Sequence, residues 1–142
     1  MVDGVKAPQQ LPLVSVVTPV LNAAASLEKT IASVLGQTYQ PIEYIVMDGV
    51  STDGTLALAR RYNDRLTLVS EPDRGQSNAI NKGWQRTTGA VLAFLNADDQ
   101  YFPDTVAQAV AYLNAHPDAG WIYGSPVSIT ASGEPMPFRR AT

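Results

Sequence analysis

Short apolar runs alternate with stretches whose apolar positions recur at helical spacing, and the alternation repeats along most of the chain. Leu13, Val14, Val16 and Val17 surround Ser15 in a β-branched run that is apolar on both faces, as a buried parallel strand requires. Beyond Thr18 and Pro19, the residues Leu27, Ile31, Val34 and Leu35 fall at i, i+4, i+7 and i+8, one face of a helix. Ser26 stands in the N-cap place and Gly36 where the helix should stop. A second strand is predicted over 44–47, ending at Asp48-Gly49, and Asp53 precedes a helix from about Thr55 to Tyr62. Residues 66–69 predict a third strand, after which Gly75 opens a helix whose Ala79, Ile80, Gly83 and Trp84 share a face. The fourth strand, 91–95, stops at Asn96-Ala97-Asp98-Asp99. Pro103 suits the first position of a helix that turns Val106, Val110 and Leu113 inward. Trp121-Ile122-Tyr123 predict a fifth strand and Val127-Ser128-Ile129 a sixth, with Trp84 and Trp121 expected in the core.

Such repeated strand-helix alternation predicts an α/β fold: an open, mostly parallel, Rossmann-like sheet with helices on both faces. Residues 1–12, without periodicity, are expected to be a flexible lead-in, and 13–125 the folded domain. Residues 126–142 carry Pro126, Pro135 and Pro137 and no helical punctuation, so an edge strand or extended tail is expected there. No closing element follows, which suggests a fold truncated at its C-terminal side.

Composition then removes chemistry. A net charge of −3 argues against nucleic acid or an anionic membrane as partner. Without Cys, and with His116 as the one histidine, thiolate chemistry and His-rich metal sites are excluded and a Ser-His-Asp triad is disfavoured. No apolar run is long enough to span a membrane, and the start lacks the pattern of a signal peptide, so a cytoplasmic protein is expected. Carboxylates, amides, hydroxyls and backbone groups remain.

In an open parallel sheet the ligand lies beyond the carboxyl ends of the strands, near the point where strand order reverses. The residues predicted there are Thr18, Pro19 and Asn22, then Asp48, then Glu71, Asp73 and Arg74, then Asn96, Asp98 and Asp99. Asp53 reads as an N-cap alone. Asp98 and Asp99 are adjacent after an apolar strand, and like charges so placed call for a cation or an open site. Two carboxylates and a diphosphate are a set that Mg²⁺ or Mn²⁺ accepts; capping and loop solvation are the plainer alternative. Asp48 is able to accept a pyrimidine N–H, and Arg74 faces a phosphate or base, or is a solvated loop cation. The phosphate loop of nucleotide triphosphatases, the dinucleotide glycine motif and the hydrolase elbow are all missing.

Several blocks, in order, resemble family-2 glycosyltransferases of the GT-A fold. They are Val14-Ser15-Val16-Val17-Thr18-Pro19-Val20-Leu21-Asn22, Ser33-Val34-Leu35-Gly36-Gln37-Thr38-Tyr39 and Asp48-Gly49-Val50-Ser51-Thr52-Asp53-Gly54-Thr55, followed by Glu71-Pro72-Asp73-Arg74-Gly75-Gln76-Ser77-Asn78-Ala79-Ile80-Asn81-Lys82-Gly83, Thr88-Gly89 and Leu95-Asn96-Ala97-Asp98-Asp99. The resemblance implies transfer of a sugar from a nucleotide diphosphate sugar, UDP-sugar favoured, to a glycan or glycoconjugate acceptor, usually with inversion. It implies base contacts near Thr18, Pro19 and Asn22, base pairing by Asp48, and nucleotide contacts from Arg74 and Asn78. Asn96 and Asp98 would touch ribose or the metal shell, and Asp99 the Mg²⁺ or Mn²⁺ itself. Asn78 stands where the family often has Asp, and Val50 where Gly is frequent. The family's general base lies well past Asp99, outside this chain, so a donor-binding half is expected. The alternative is a non-catalytic nucleotide-sugar-binding module lacking the acceptor half. An exposed apolar surface on such a half would favour homo-oligomers.

Overall fold

A computed structural model describes residues 10–136. The elements run β1 (Val14–Val20), α1 (Leu27–Leu35), β2 (Ile42–Asp48), α2 (Thr55–Arg60), β3 (Thr67–Ser70), α3 (Gln76–Trp84), β4 (Val91–Phe94) and α4 (Thr105–Ala115). The strands form one parallel sheet in the order β3-β2-β1-β4. The order reverses beside β1, so the crevice between the carboxyl ends of β1 and β4 is the switch point.

β1 is longer than its apolar run and is buried throughout, Thr18 and Pro19 included. Thr18 is admitted because its hydroxyl shares a hydrogen bond of 2.9 Å with the Tyr44 hydroxyl. Pro19 is admitted for another reason. Residues 15, 17 and 19 turn their backbone groups toward β4, as the Leu95 N–H to Val17 carbonyl bond shows, but β4 pairs with β1 only as far as Val17. The N–H that proline lacks would have pointed into the open crevice, so no ladder bond is lost.

Both faces of the sheet are covered over β1 and most of β2, whereas the edge strand β4 leaves Leu92 and Phe94 about half exposed. Val17, Ile45 and Met47 pack against Ala79 of α3, with Val69 and Trp84 at the margin. Here Gly83 lets the helix approach closely: a Cβ would stand 2.5 Å from Val17 Cγ1 and 3.0 Å from Met47 Cγ. Val16 and Val46, pointing to the opposite face, are fully buried as well. Trp84 is only half-buried; its indole N–H donates to the Ala93 carbonyl at 3.1 Å and its ring meets the edge of Phe94.

The described chain divides into two units, one up to Gln108 and one from Ala109 onward. In the second unit the expectations of a fifth and sixth strand fail. Among the described residues, 121–123 have no ladder partner, and 127–129 contribute only an isolated antiparallel bridge from Ile129 to Pro135 around a turn at 130–133. Trp121 is not a core residue: it is 75% exposed and stacks on Tyr123, which is 79% exposed. An apolar triplet becomes a strand only when a neighbouring edge completes its hydrogen bonds, and none does so among the described residues. His116 makes the expected helix-end contact, its Nδ1 lying 2.9 Å from the Tyr112 carbonyl. The predicted lead-in falls mostly on residues 1–9, outside the described residues, as does the tail from 137 on. No described helix is long and apolar enough to cross a membrane.

Candidate functional site

The loops after β1 and β2 are laced together. Asn22 adopts φ +49° and its side-chain oxygen accepts the Thr52 N–H at 2.8 Å, while its own N–H donates to Ser51 Oγ at 2.8 Å. Ala23 N–H reaches Thr55 Oγ1 at 2.9 Å and Ala24 N–H reaches Asp53 Oδ2 at 3.3 Å. Asp53 therefore does more than open α2. Its other oxygen accepts the hydroxyl and N–H of Thr55, and these bonds, the hydroxyl's above all, hold its carboxyl below the ordinary value. Ser26, by contrast, makes no side-chain cap: it lies in the helical region, its hydroxyl is turned to the Ala23 carbonyl, and the Lys29 N–H that a cap would take bonds the Ser26 carbonyl instead.

Asp48 ends β2 with its side chain turned inward, 1% exposed. Its Oδ2 accepts from Val50 N–H at 3.1 Å, Ser51 N–H at 3.1 Å and Ser70 Oγ at 2.6 Å; Oδ1 takes a longer bond of 3.3 Å from Ser51. These bonds hold Val50 at φ +65°, an outlying conformation for a β-branched residue.

The third strand end leads into α3. Asp73 Oδ1 accepts the Gly75 N–H at 2.7 Å, and Gly75 takes φ +106°, a value suited to glycine. Asn78 Oδ1 accepts the Arg74 N–H at 3.1 Å, leaving the exposed Arg74 guanidinium without a partner among the described residues. Glu71 is paired with Lys82 and Arg86 of α3 and the turn after it.

Beyond β4, residues 96–99 make a turn closed by the Asp99 N–H on the Asn96 carbonyl at 3.1 Å. Gln76 Nε2 donates to Asn96 Oδ1, and Asn96 Nδ2 donates to Asp99 Oδ2 at 3.1 Å. A relay of side chains thus runs from the first residue of α3 to the acidic pair. Asp98 and Asp99 are exposed. Among the described residues no group of three or more His, Cys, Asp or Glu is arranged to enclose a metal. The two adjacent carboxylates fit an ion whose remaining positions go to phosphate and water, the habit of Mg²⁺ and Mn²⁺, and do not fit a caged one.

The turn and the loop that follows it are held by Thr30 and Ser33 of α1 and by Gln37, just past its end, a role that the sequence alone does not disclose. Thr30 Oγ1 donates to the Asp99 carbonyl at 2.7 Å, and Ser33 Oγ accepts the Tyr101 N–H at 3.1 Å. Gln37 donates to the Phe102 carbonyl at 2.7 Å and accepts the Val106 N–H at 2.9 Å. The spacing of Thr30 and Ser33, i and i+3 on α1, is the available signal: neighbouring polar side chains on one side of a helix, with Gln37 following just past its end. Tyr101 is fixed beside them, its hydroxyl on the Phe94 carbonyl at 3.1 Å and its pKa raised to about 12 by burial.

The glycosyl transferase family 2 model matches residues 15–140. The chain belongs to that family. A PGL/p-HBAD biosynthesis glycosyltransferase of Mycobacterium bovis is 36% identical over 118 residues, covering 80% of this chain and 46% of that protein. An uncharacterized glycosyltransferase of Rickettsia prowazekii is 35% identical over 103 residues, 72% of this chain and 32% of that protein. The chain thus spans about half the length, or less, of these curated relatives. Among solved structures, the mannosyltransferase PcManGT of Pyrobaculum calidifontis, in complex with GDP-Man and Mn²⁺, superimposes with a TM-score of 0.68 at 32% identity, over 76% of this chain and 36% of that one. S. aureus TarS in complex with UDP-GlcNAc gives 0.68 at 24% identity over 73% of this chain and 32% of that one, a likeness of fold. The fold of this family-2 member is therefore that of the GT-A glycosyltransferases.

Proposed function

We propose that the crevice between β1 and β4 binds a nucleotide diphosphate sugar, and that the chain supplies the donor side of sugar transfer to a glycan, lipid or other acceptor. The observation that carries this is the Asn96–Asp99 turn: two exposed carboxylates at the switch point, held by Gln76 through Asn96 and by Thr30 from behind. Membership of the family and the mannosyltransferase complex with GDP-Man and Mn²⁺ support it.

In this reading Asp99, with Asp98 beside it, would hold Mg²⁺ or Mn²⁺, which would supply positive charge against the charge that develops on the leaving diphosphate. Asn96 fixes the Asp99 carboxylate by donating to its Oδ2. The N-terminus of α3 and the free Arg74 guanidinium add positive potential along the diphosphate. Thr18, buried against Tyr44, serves through its backbone, and Pro19 and Asn22 shape the wall against which the nucleoside lies. A single in-line displacement at the anomeric carbon, with inversion, needs no nucleophile from these residues.

Isothermal titration with UDP, GDP and dTDP, with and without Mn²⁺, tests the reading. One nucleotide should bind in a metal-dependent manner, and Asp99→Ala should abolish that binding. Binding indifferent to both metal and substitution would overturn the role of the acidic turn.

A further inference from the structure

We propose that Asp73, in place of Asp48, reads the nucleobase, its Oδ2 accepting the ring N–H that uracil, thymine and guanine possess and that adenine and cytosine lack. This rests on the nucleotide-binding reading above and names the residue that selects the nucleotide class.

A carboxylate offers about four acceptor positions. Those of Asp48 are taken by Val50, Ser51 and Ser70, and the side chain is 1% exposed, so an incoming base meets neither oxygen. Asp73 is half-buried, with one oxygen held by the Gly75 N–H at 2.7 Å and the other without a donor among the described residues. That free oxygen lies at the strand ends, not out in solvent. A Cβ placed on Gly49 would stand 2.6 Å from Asp73 Oδ2 and 3.7 Å from Leu21 Cδ1. The loop after β3 thus delivers a carboxylate to the spot that a side chain at position 49 would fill, and glycine leaves room for it. The surroundings suit a planar base: Leu21 and Val50, neighbours of this spot, are 60% and 47% exposed, apolar side chains left open beside a single oriented acceptor. A fixed acceptor discriminates by chemistry, because a base presenting a ring lone pair would face the carboxylate with repulsion.

The experiment is a titration of the full chain with UDP and N3-methyl-UDP, and with GDP and N1-methyl-GDP, all with Mn²⁺, with ADP and CDP as controls. For whichever parent binds, methylation of the ring nitrogen should weaken wild-type binding about tenfold or more. Asp73→Asn retains an oxygen for Gly75 but turns an N–H toward the base; it should lower affinity for the parent by a similar factor and make parent and methyl derivative equal. Gly49→Ala, whose added Cβ displaces Oδ2, should reproduce both effects with Asp73 intact. Undiminished discrimination in the two variants overturns the assignment while leaving nucleotide binding in place. Absence of discrimination in the wild type does the same. If no nucleotide binds, the donor-site reading itself falls, and this inference with it.

Discussion

Thr30 and Asp99, 69 positions apart in the chain, are joined by a hydrogen bond of 2.7 Å from the threonine hydroxyl to the aspartate carbonyl. Thr30 is fully buried, so the bond fixes the backbone beneath the acidic pair without using either carboxylate. Thr30→Val keeps shape and removes the donor. The expected loss of stability is about 1 kcal/mol, read by thermal or urea unfolding. Nucleotide affinity in Mn²⁺ should fall severalfold, because the turn then samples more positions. Unchanged affinity at reduced stability would confine the bond to the fold.

Val50 stores strain. Its φ of +65° costs a branched side chain roughly 1–2 kcal/mol, part of which returns as greater freedom of the unfolded chain when glycine is substituted. Val50→Gly should therefore raise stability by about 0.5–1 kcal/mol in denaturant unfolding. A loss would mean that the exposed valine makes apolar contacts worth more than its strain.

Gly83 sits where α3 crosses the sheet, and Val17 and Met47 leave no space for a methyl group. Gly83→Ala gains about 1 kcal/mol of helix propensity, but overpacking a core costs about 1–3 kcal/mol. We expect a net loss near 1–2 kcal/mol, with the helix pushed outward and Gln76 drawn off Asn96. The melting temperature and nucleotide titration report the two effects separately.

Asp53 makes stability pH-dependent. Its folded pKa lies below the ordinary 3.8, chiefly through the Thr55 hydroxyl and N–H. A depressed folded value means that the contribution is fully present above 3.8 and disappears as the pH falls through the lowered folded value. The difference in melting temperature between wild type and Asp53→Asn should be constant from about pH 5 upward and shrink in acid. A difference that grows in acid would reverse the sign and refute the role of Thr55.

Strand and helix order is legible from residue 13 to about 113 because buried parallel strands need apolar residues on both faces and the helices need them on one. The acidic turn is legible for a related reason: two adjacent carboxylates after an apolar strand demand an explanation. What is hidden depends on partners far away in sequence. Thr18 reads as a strand end until Tyr44 supplies its hydrogen bond, and the polar side chains of Thr30, Ser33 and Gln37 acquire a role only once the loop they hold is placed upon them. Trp121 misleads in the opposite sense, since aromatic character alone does not bring a covering surface.

Pro19 gives the crevice its permanence. At the gap between β1 and β4 the sheet stops zipping, although two parallel strands lengthen side by side, rung by rung, wherever both supply their bonds. Beyond the Val17 rung β1 offers no N–H on that side, so the next rung would lack one of its two bonds, and β4 leaves the ladder for the Asn96–Asp99 turn. The ladder therefore ends for a reason written into β1 itself, and a ligand entering beyond Val17 has no β1–β4 rung to break.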